Sequence, residues 1–305
     1  GMAVPDYQQF MLPFLRILGD GQVHSLSEIK ERLAEEFGLT EEDRKELLPS
    51  GRQRTFDNRV GWARTYLKKA LLLESPERAK YRITSRGREA LLMEPETIDV
   101  NFLSQYPEFL EFKNSSRRSQ TQHDTETKTG ENQRTPEETL EASYQELRRE
   151  LKQEILELVK ECSPSFFEKL VVDLLVAMGY GGSRADAGQA IGRSGDGGID
   201  GIIKEDKLGL DTIYIQAKRW NGSVGRPEIQ KFTGSLIGQG ANKGVFITTS
   251  TFTDGAKEYV DRIDRKIVLI DGEQLAEFML DYDIGVNEHA RYIIKRIDTD
   301  YFVED

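Results

Sequence analysis

A single cysteine, Cys162, stands among 305 residues, so no intrachain disulfide framework can hold this chain together. Histidine is almost as scarce, and three scattered residues leave no zinc cluster to read. No apolar run approaches the roughly 20 residues needed to span a bilayer, and no secretory charge–apolar–cleavage pattern opens the sequence. These absences predict a cytoplasmic protein without a membrane partner. Net positive charge is missing too: 42 Lys and Arg against 53 Asp and Glu give −11, which taken alone disfavours a polyanionic partner.

Distribution matters more than the sum. Between Arg52 and Arg88 the chain carries Arg52, Arg54, Arg59, Arg64, Lys68, Lys69, Arg78, Lys80, Arg82, Arg86 and Arg88, opposed only by Asp57, Glu74 and Glu77. A length of 305 residues is a prior for two domains, and 37% apolar residues suffice for packed cores. Residues 114–136, NSSRRSQTQHDTETKTGENQRTP, contain nothing that builds a core. The expected division is therefore a first domain over 1–112, a flexible linker over 113–139 and a second domain over 140–305.

In the first domain, Phe10, Met11, Phe14, Leu15 and Leu18 recur at helical spacing. Ser25 caps a second helix and, with Glu28, is expected to form a capping box; a short acidic helix follows around Glu41–Leu47. A longer helix runs from about Thr55 to Ala70, and a hairpin spans Leu72 to Ile83 around Ser75-Pro76-Glu77-Arg78. Helices, a basic helix and a basic hairpin predict a winged helix-turn-helix. Its candidate DNA contacts are Arg52, Arg54, Arg59, Arg64, Lys68, Arg78 and Lys80. The bland alternative is that these charges merely solvate the domain, or that it binds protein. Trp62, on the basic helix, is expected in the core.

In the second domain, a helix over Thr139–Lys160 is followed by one from Pro164 to Met178, capped by Ser163 or Ser165 and carrying Glu168 on an otherwise apolar surface. The glycine-rich stretch Gly192–Gly201 precedes a strand, so a dinucleotide-loop reading is weak. Its glycines instead suit a close backbone approach near Asp200. In Thr212–Lys218, period-two geometry turns Ile213, Ile215 and Ala217 to one face and Tyr214, Gln216 and Lys218 to the other. Asp200, at the head of the preceding strand, is expected to join Gln216 and Lys218, with Glu168 added if its helix crosses the same sheet. A carboxylate and an amide oxygen suit Mg²⁺, with Mn²⁺ an expected substitute, and a nearby ammonium suits phosphodiester hydrolysis. Taken singly, each residue has a dull explanation, such as a surface Asp or an edge-strand Lys. Thr249, Ser250 and Thr251 at the end of a later strand are read either as phosphate contacts or as caps.

Phe166-Phe167-Glu168, Asp196-Gly197-Gly198-Ile199-Asp200-Gly201 and Ile215-Gln216-Ala217-Lys218-Arg219-Trp220 resemble the three blocks of the Mrr-type nucleases, within the PD-(D/E)xK superfamily. The resemblance covers roughly Ser163 to Phe278, and more weakly the N-terminal domain. It implies an α/β restriction-endonuclease-like sandwich, a mixed sheet flanked by helices, preceded by a mainly α winged helix-turn-helix domain. It makes Asp200 the metal-binding aspartate, Gln216 the (D/E) position, Lys218 the catalytic lysine and Glu168 the helix glutamate, so that Asp200, Gln216 and Glu168 would hold Mg²⁺. The expected function is cleavage of modified, methylated double-stranded foreign DNA by a homodimer or higher homo-oligomer. The alternatives are a DNA-binding regulator or sensor with a weak nuclease-like domain, and a structure-specific repair nuclease.

Overall fold

A computed structural model describes residues 4–117, 133–183, 186–187, 191–193 and 199–303 of the chain. It divides into two compact units, Gly1–Glu146 and Leu147–Asp305.

Unit 1 runs α1 (Met11–Ile17), β1 (His24–Ser25), α2 (Leu26–Glu36), α3 (Glu41–Lys45), α4 (Thr55–Lys69), β2 (Leu73–Glu77), β3 (Lys80–Ile83), α5 (Ser85–Leu92), α6 (Val100–Leu103) and α7 (Pro107–Arg117). The three strands form an antiparallel sheet in the order β1-β3-β2. The order is thus helix, strand, three helices and a hairpin, followed by three further helices. Phe10, Phe14, Phe56, Leu33 and Leu67 are fully buried at its centre. Ser25 does cap α2 through the Glu28 amide, at 3.1 Å. The Glu28 carboxylate, however, does not close a capping box, because it turns to His24 Nδ1 at 3.2 Å and Arg32 at 3.1 Å. His24 Nε2 meets Asp20 Oδ2 at 2.8 Å, so the buried ring is gripped at both nitrogens by carboxylates. Burial pulls its pKa down, but these hydrogen bonds outweigh that and the net shift is upward.

Helices enter both ends of the span expected as a linker. α7 continues to Arg117, and α8 (Pro136–Glu161) starts three residues before 139; residues 118–132 lie outside the described part of the chain. Thr135 is fully buried and forms a reciprocal capping box with Glu138: the Thr135 amide donates to Glu138 Oε2 at 2.9 Å, and the Glu138 amide to Thr135 Oγ1 at 3.3 Å. Pro136 at the first helical position and Glu137–Glu138 in the first turn are start signals embedded in an otherwise polar run.

Unit 2 adds α9 (Pro164–Ala177), β4 (Ile191–Arg193), β5 (Ile199–Lys204), β6 (Thr212–Lys218), α10 (Arg226–Gly238), β7 (Lys243–Thr248), α11 (Asp254–Arg262), β8 (Lys266–Ile270) and α12 (Gly272–Asp281). Its five-stranded sheet has the order β4-β5-β6-β7-β8, antiparallel from β4 to β6 and parallel from β6 to β8. Phe167, Leu170 and Leu174 of α9, Ile155 and Val159 of α8, and Leu275 and Met279 of α12 cover the face that carries Ile213, Ile215 and Ala217. Ile229, Phe232 and Leu236 of α10 and Ala256 of α11 cover the other, which carries Tyr214 and Phe246. This is the expected α/β sandwich with a mixed sheet between helical layers. Gly244 on β7 lets α10 approach: a Cβ there would lie 2.5 Å from Leu236 Cδ1 and 2.8 Å from Phe232 Cζ. At the turn end of the β5–β6 hairpin, Lys243 Nζ holds Glu205 at 2.7 Å and Asp211 at 2.9 Å.

Candidate active site

The β5–β6 register sets Asp200 directly opposite Gln216, so both side chains emerge on one face, and Lys218 follows two residues along on the same face. Gln216 and Asp200 are half-buried, and the Lys218 side chain is 13% exposed. The face is the one under α10. Tyr214 shares it, is buried, and stacks on Phe232 of α10 with centroids 5.2 Å apart and an interplanar angle of 25°. Its hydroxyl lies near Asp200 and Ser235, and its pKa is raised, first by burial and then by the negative charge of Asp200. The phenol therefore stays protonated at neutral pH and is a donor for the carboxylate.

Lys218 Nζ lies 3.6 Å from Glu228 Oε2, in the first turn of α10, and 5.1 Å from the Trp220 ring centroid. The ammonium is thus steadied by an anion and by an aromatic face. Trp220 is fixed in turn: its amide donates to Thr249 Oγ1 at 3.0 Å, and the Thr249 hydroxyl donates to the Trp220 carbonyl at 3.1 Å. Ser223 and Thr251 hydroxyls meet at 2.8 Å, and the Ser250 amide donates to Thr248 Oγ1 at 3.1 Å. The 249–251 segment thus ties down the loop after β6. Arg219, on the opposite face from Lys218, donates to the Cys162 carbonyl just beyond α8.

Glu168 is half-buried on α9, and that helix packs on the sheet face opposite Gln216 and Lys218. The β5–β6 register thus brings together three of the four expected residues, and Glu168 stands on α9, outside that register. Ser194 to Gly198, the core of the glycine-rich stretch, lie outside the described residues. Among the described residues no group of three His, Cys, Asp or Glu side chains is gathered to hold a metal. The oxygen donors that face one another are the Asp200 carboxylate and the Gln216 amide, with the Tyr214 hydroxyl near the former. Two hard oxygen ligands fit Mg²⁺, which fills its remaining positions with water and substrate oxygens. Sequence reading placed Tyr214 on this face without giving it a role and passed over Glu228. Parity with Gln216 signals the first; nothing in the local pattern marks the second.

In unit 1, Arg52 and Arg54 are exposed at the start of α4, and Lys68 is exposed near its end. Arg64 donates to the Tyr81 hydroxyl at 3.2 Å and sits over that ring, which joins α4 to β3. Arg78 is exposed in the hairpin turn, and Lys80 pairs with Glu77 at 2.6 Å on the surface. Arg59 is half-buried and engaged within the fold. Its guanidinium is bound to Glu138 at 2.6 Å and to the carbonyls of Val4 and Pro5, so it braces the fold on a different side of α4. Trp62 packs against the first core, as expected, and its indole N–H donates to Glu137 at 2.6 Å.

A sandwich with an aspartate, a glutamine and a lysine on one face of its sheet, preceded by a helical domain with a basic hairpin, defines a restriction-endonuclease type of protein. Family comparison agrees: residues 7–92 match the Mrr N-terminal domain and residues 159–279 match the catalytic restriction endonuclease domain of the same type. The type IV methyl-directed restriction enzyme EcoKMrr of Escherichia coli strain K12 is 38% identical over 309 residues, covering 99% of this chain and 100% of that protein. The chain belongs to the Mrr family of restriction endonucleases. Among solved structures, the DNA modification-dependent restriction endonuclease AspBHI is similar at a TM-score of 0.35 and 15% identity, over 70% of this chain and 56% of that one.

Proposed function

We propose that this protein is a Mg²⁺-dependent endonuclease for modified, methylated DNA, in which unit 1 selects the site and unit 2 hydrolyses the phosphodiester. The observation that carries the chemistry is the β5–β6 register, which lays Asp200 opposite Gln216 with Lys218 two residues on. Asp200 and Gln216 would hold the metal, with Mn²⁺ as an alternative, and Glu168 is the further candidate ligand. The bound ion would polarise the phosphate and acidify a water. Tyr214 orients the Asp200 carboxylate by hydrogen bonding. Lys218, held by Glu228 and Trp220, presents its ammonium to the negative charge that accumulates on the phosphorus oxygens.

EcoKMrr is named for methyl-directed restriction, and the full-length likeness to it supports modified DNA as the substrate. Arg52, Arg54, Arg64, Lys68, Arg78 and Lys80 are the phosphate and base contacts offered by unit 1. The ion pair of Lys80 with Glu77 is exposed and worth at most about 1 kcal/mol, so a phosphate can replace the glutamate. Cutting both strands requires two sites, which favours a homodimer or higher homo-oligomer. The test incubates the protein with methylated and unmethylated plasmid in Mg²⁺ or Mn²⁺. Asp200→Asn and Lys218→Ala should lower cleavage by at least about 100-fold while DNA retention in a gel-shift assay survives. Binding without nicking under any of these conditions would instead indicate a DNA-binding regulator. Cleavage that ignores methylation but prefers junctions would indicate a repair nuclease.

A further inference from the structure

Two features of unit 2 leave apolar side chains exposed among the described residues. The first is the free edge of the sheet. β8 is hydrogen-bonded only to β7, and Val268 at its middle is 44% exposed. Val268 also lines an apolar cavity of about 380 Å³ between the sheet, α9 and α12, whose walls include Leu174, Met178, Ile247, Ile270 and Phe278. An exposed apolar edge strand is a template for a further strand.

The second feature is the segment beyond α12. Val286 still packs against the core of unit 2, but from residue 287 onward every described residue is exposed, and no helix or strand forms before Asp300. Tyr292, Ile293, Ile294 and Ile297 lie in this stretch, each 67–83% exposed. Single exposed apolar residues are ordinary; four within six residues form a patch that calls for a partner.

We infer that the Tyr292–Ile297 segment adds to the free β8 edge of a second copy of this chain, as a sixth strand lying beside the cavity. The residue pattern fits that place. A strand there would have one face toward the cavity layer, continuing Val268 and Ile270, and the other toward the α11 layer, continuing Ile267 and Leu269. A strand covered on both faces needs apolar residues on both. Tyr292 and Ile294 supply one face, and Ile293 and Ile297 supply the other. Lys295 and Arg296 carry charged ends on flexible stems that can reach past the layer to water. Donor and acceptor are both unoccupied in the same molecule, so exchange about a two-fold axis satisfies both tails with one type of contact. Main-chain hydrogen bonds along β8 would supply affinity, and the alternating side chains would supply register.

This contact specifies the homo-oligomer proposed above and rests on it, but not on the catalytic reading. The experiment uses the full chain at micromolar concentration in light scattering coupled to size exclusion. The wild type is expected to elute with the mass of two chains or an even multiple. Ile294→Lys combined with Ile297→Lys should weaken association at least tenfold while leaving the circular dichroism unchanged, because both residues are exposed. In a Cys162→Ser background, Val268→Cys with Ile294→Cys should give a disulfide joining two chains on a non-reducing gel. An oligomer unaffected by the lysine variants, with no cross-link, would overturn the tail contact and leave the oligomer standing. A cross-link closed within one chain would overturn it in favour of docking in cis. A monomer at every concentration would remove both the contact and the oligomer.

Discussion

Removing one oxygen atom tests the architecture beneath the candidate site. In Tyr214→Phe the ring and its stack on Phe232 remain, but Asp200 and Ser235 lose the hydroxyl between them. A hydrogen bond to a charged acceptor contributes about 1.5–3 kcal/mol, and part of that returns if water reaches the half-buried carboxylate. A net loss of about 1–2 kcal/mol is therefore expected. For a unit of this size each kcal/mol shifts the melting temperature by about 2–4 °C, so unit 2 should melt about 2–8 °C lower. The decisive assay is a double-mutant cycle with Asp200→Asn, read by urea unfolding without metal, so that it does not depend on any catalytic role. A coupling above about 0.5 kcal/mol is expected; stability changes that add within that margin would show that the phenol does not support the carboxylate.

Gly244→Ala should overpack the contact with Phe232 and Leu236, costing about 1–3 kcal/mol by denaturant unfolding, whereas a Cβ on the unencumbered Gly238 should cost far less. Arg59→Ala should destabilise unit 1 in thermal melts by about 1–3 kcal/mol, because it removes the donor to Glu138 Oε1 and to two backbone carbonyls. Arg54→Ala should instead leave the melt unchanged and weaken DNA retention in a gel shift, with a shallower salt dependence. His24 gives a pH signature. Its folded pKa lies above the unfolded value, so its stabilisation is fully present below about pH 6.5 and is lost as pH rises through the folded pKa. Unit 1 should melt lower at pH 8.5 than at pH 6, and His24→Gln should flatten that difference.

Strong periodicity made much of the fold readable. Pro164 and the apolar stripe from Phe166 to Leu175 mark α9, and the run Lys266–Ile270 is the strand that forms β8. Period two in Thr212–Lys218 separates the residues of the two cores, because a strand buried between helical layers has no other way to face both. Where short segments decide, the pattern is silent. β4 has three residues, one of them glycine, and is held by pairing with β5 instead of by its own propensity. The capping box at Thr135 hides in a stretch whose composition signals no order, and its Glu138 recruits Arg59 from 79 residues away, which no local rule foresees. Glu28 is drawn instead to His24 and Arg32, each four residues away, and these local partners outcompete the cap. The contact of Glu228 with Lys218 is likewise tertiary, made only when α10 settles on the sheet.

The grip of Lys243 on Glu205 and Asp211 acts on the hairpin like a rivet at one tip of a bent spring. The β5–β6 pairing runs unbroken from that tip to Asp200 opposite Gln216 and on to Ile199 opposite Ala217, so a clamp at residues 205 and 211 helps hold the register that the far end depends on. Lys243→Met would remove the clamp far from any reacting atom.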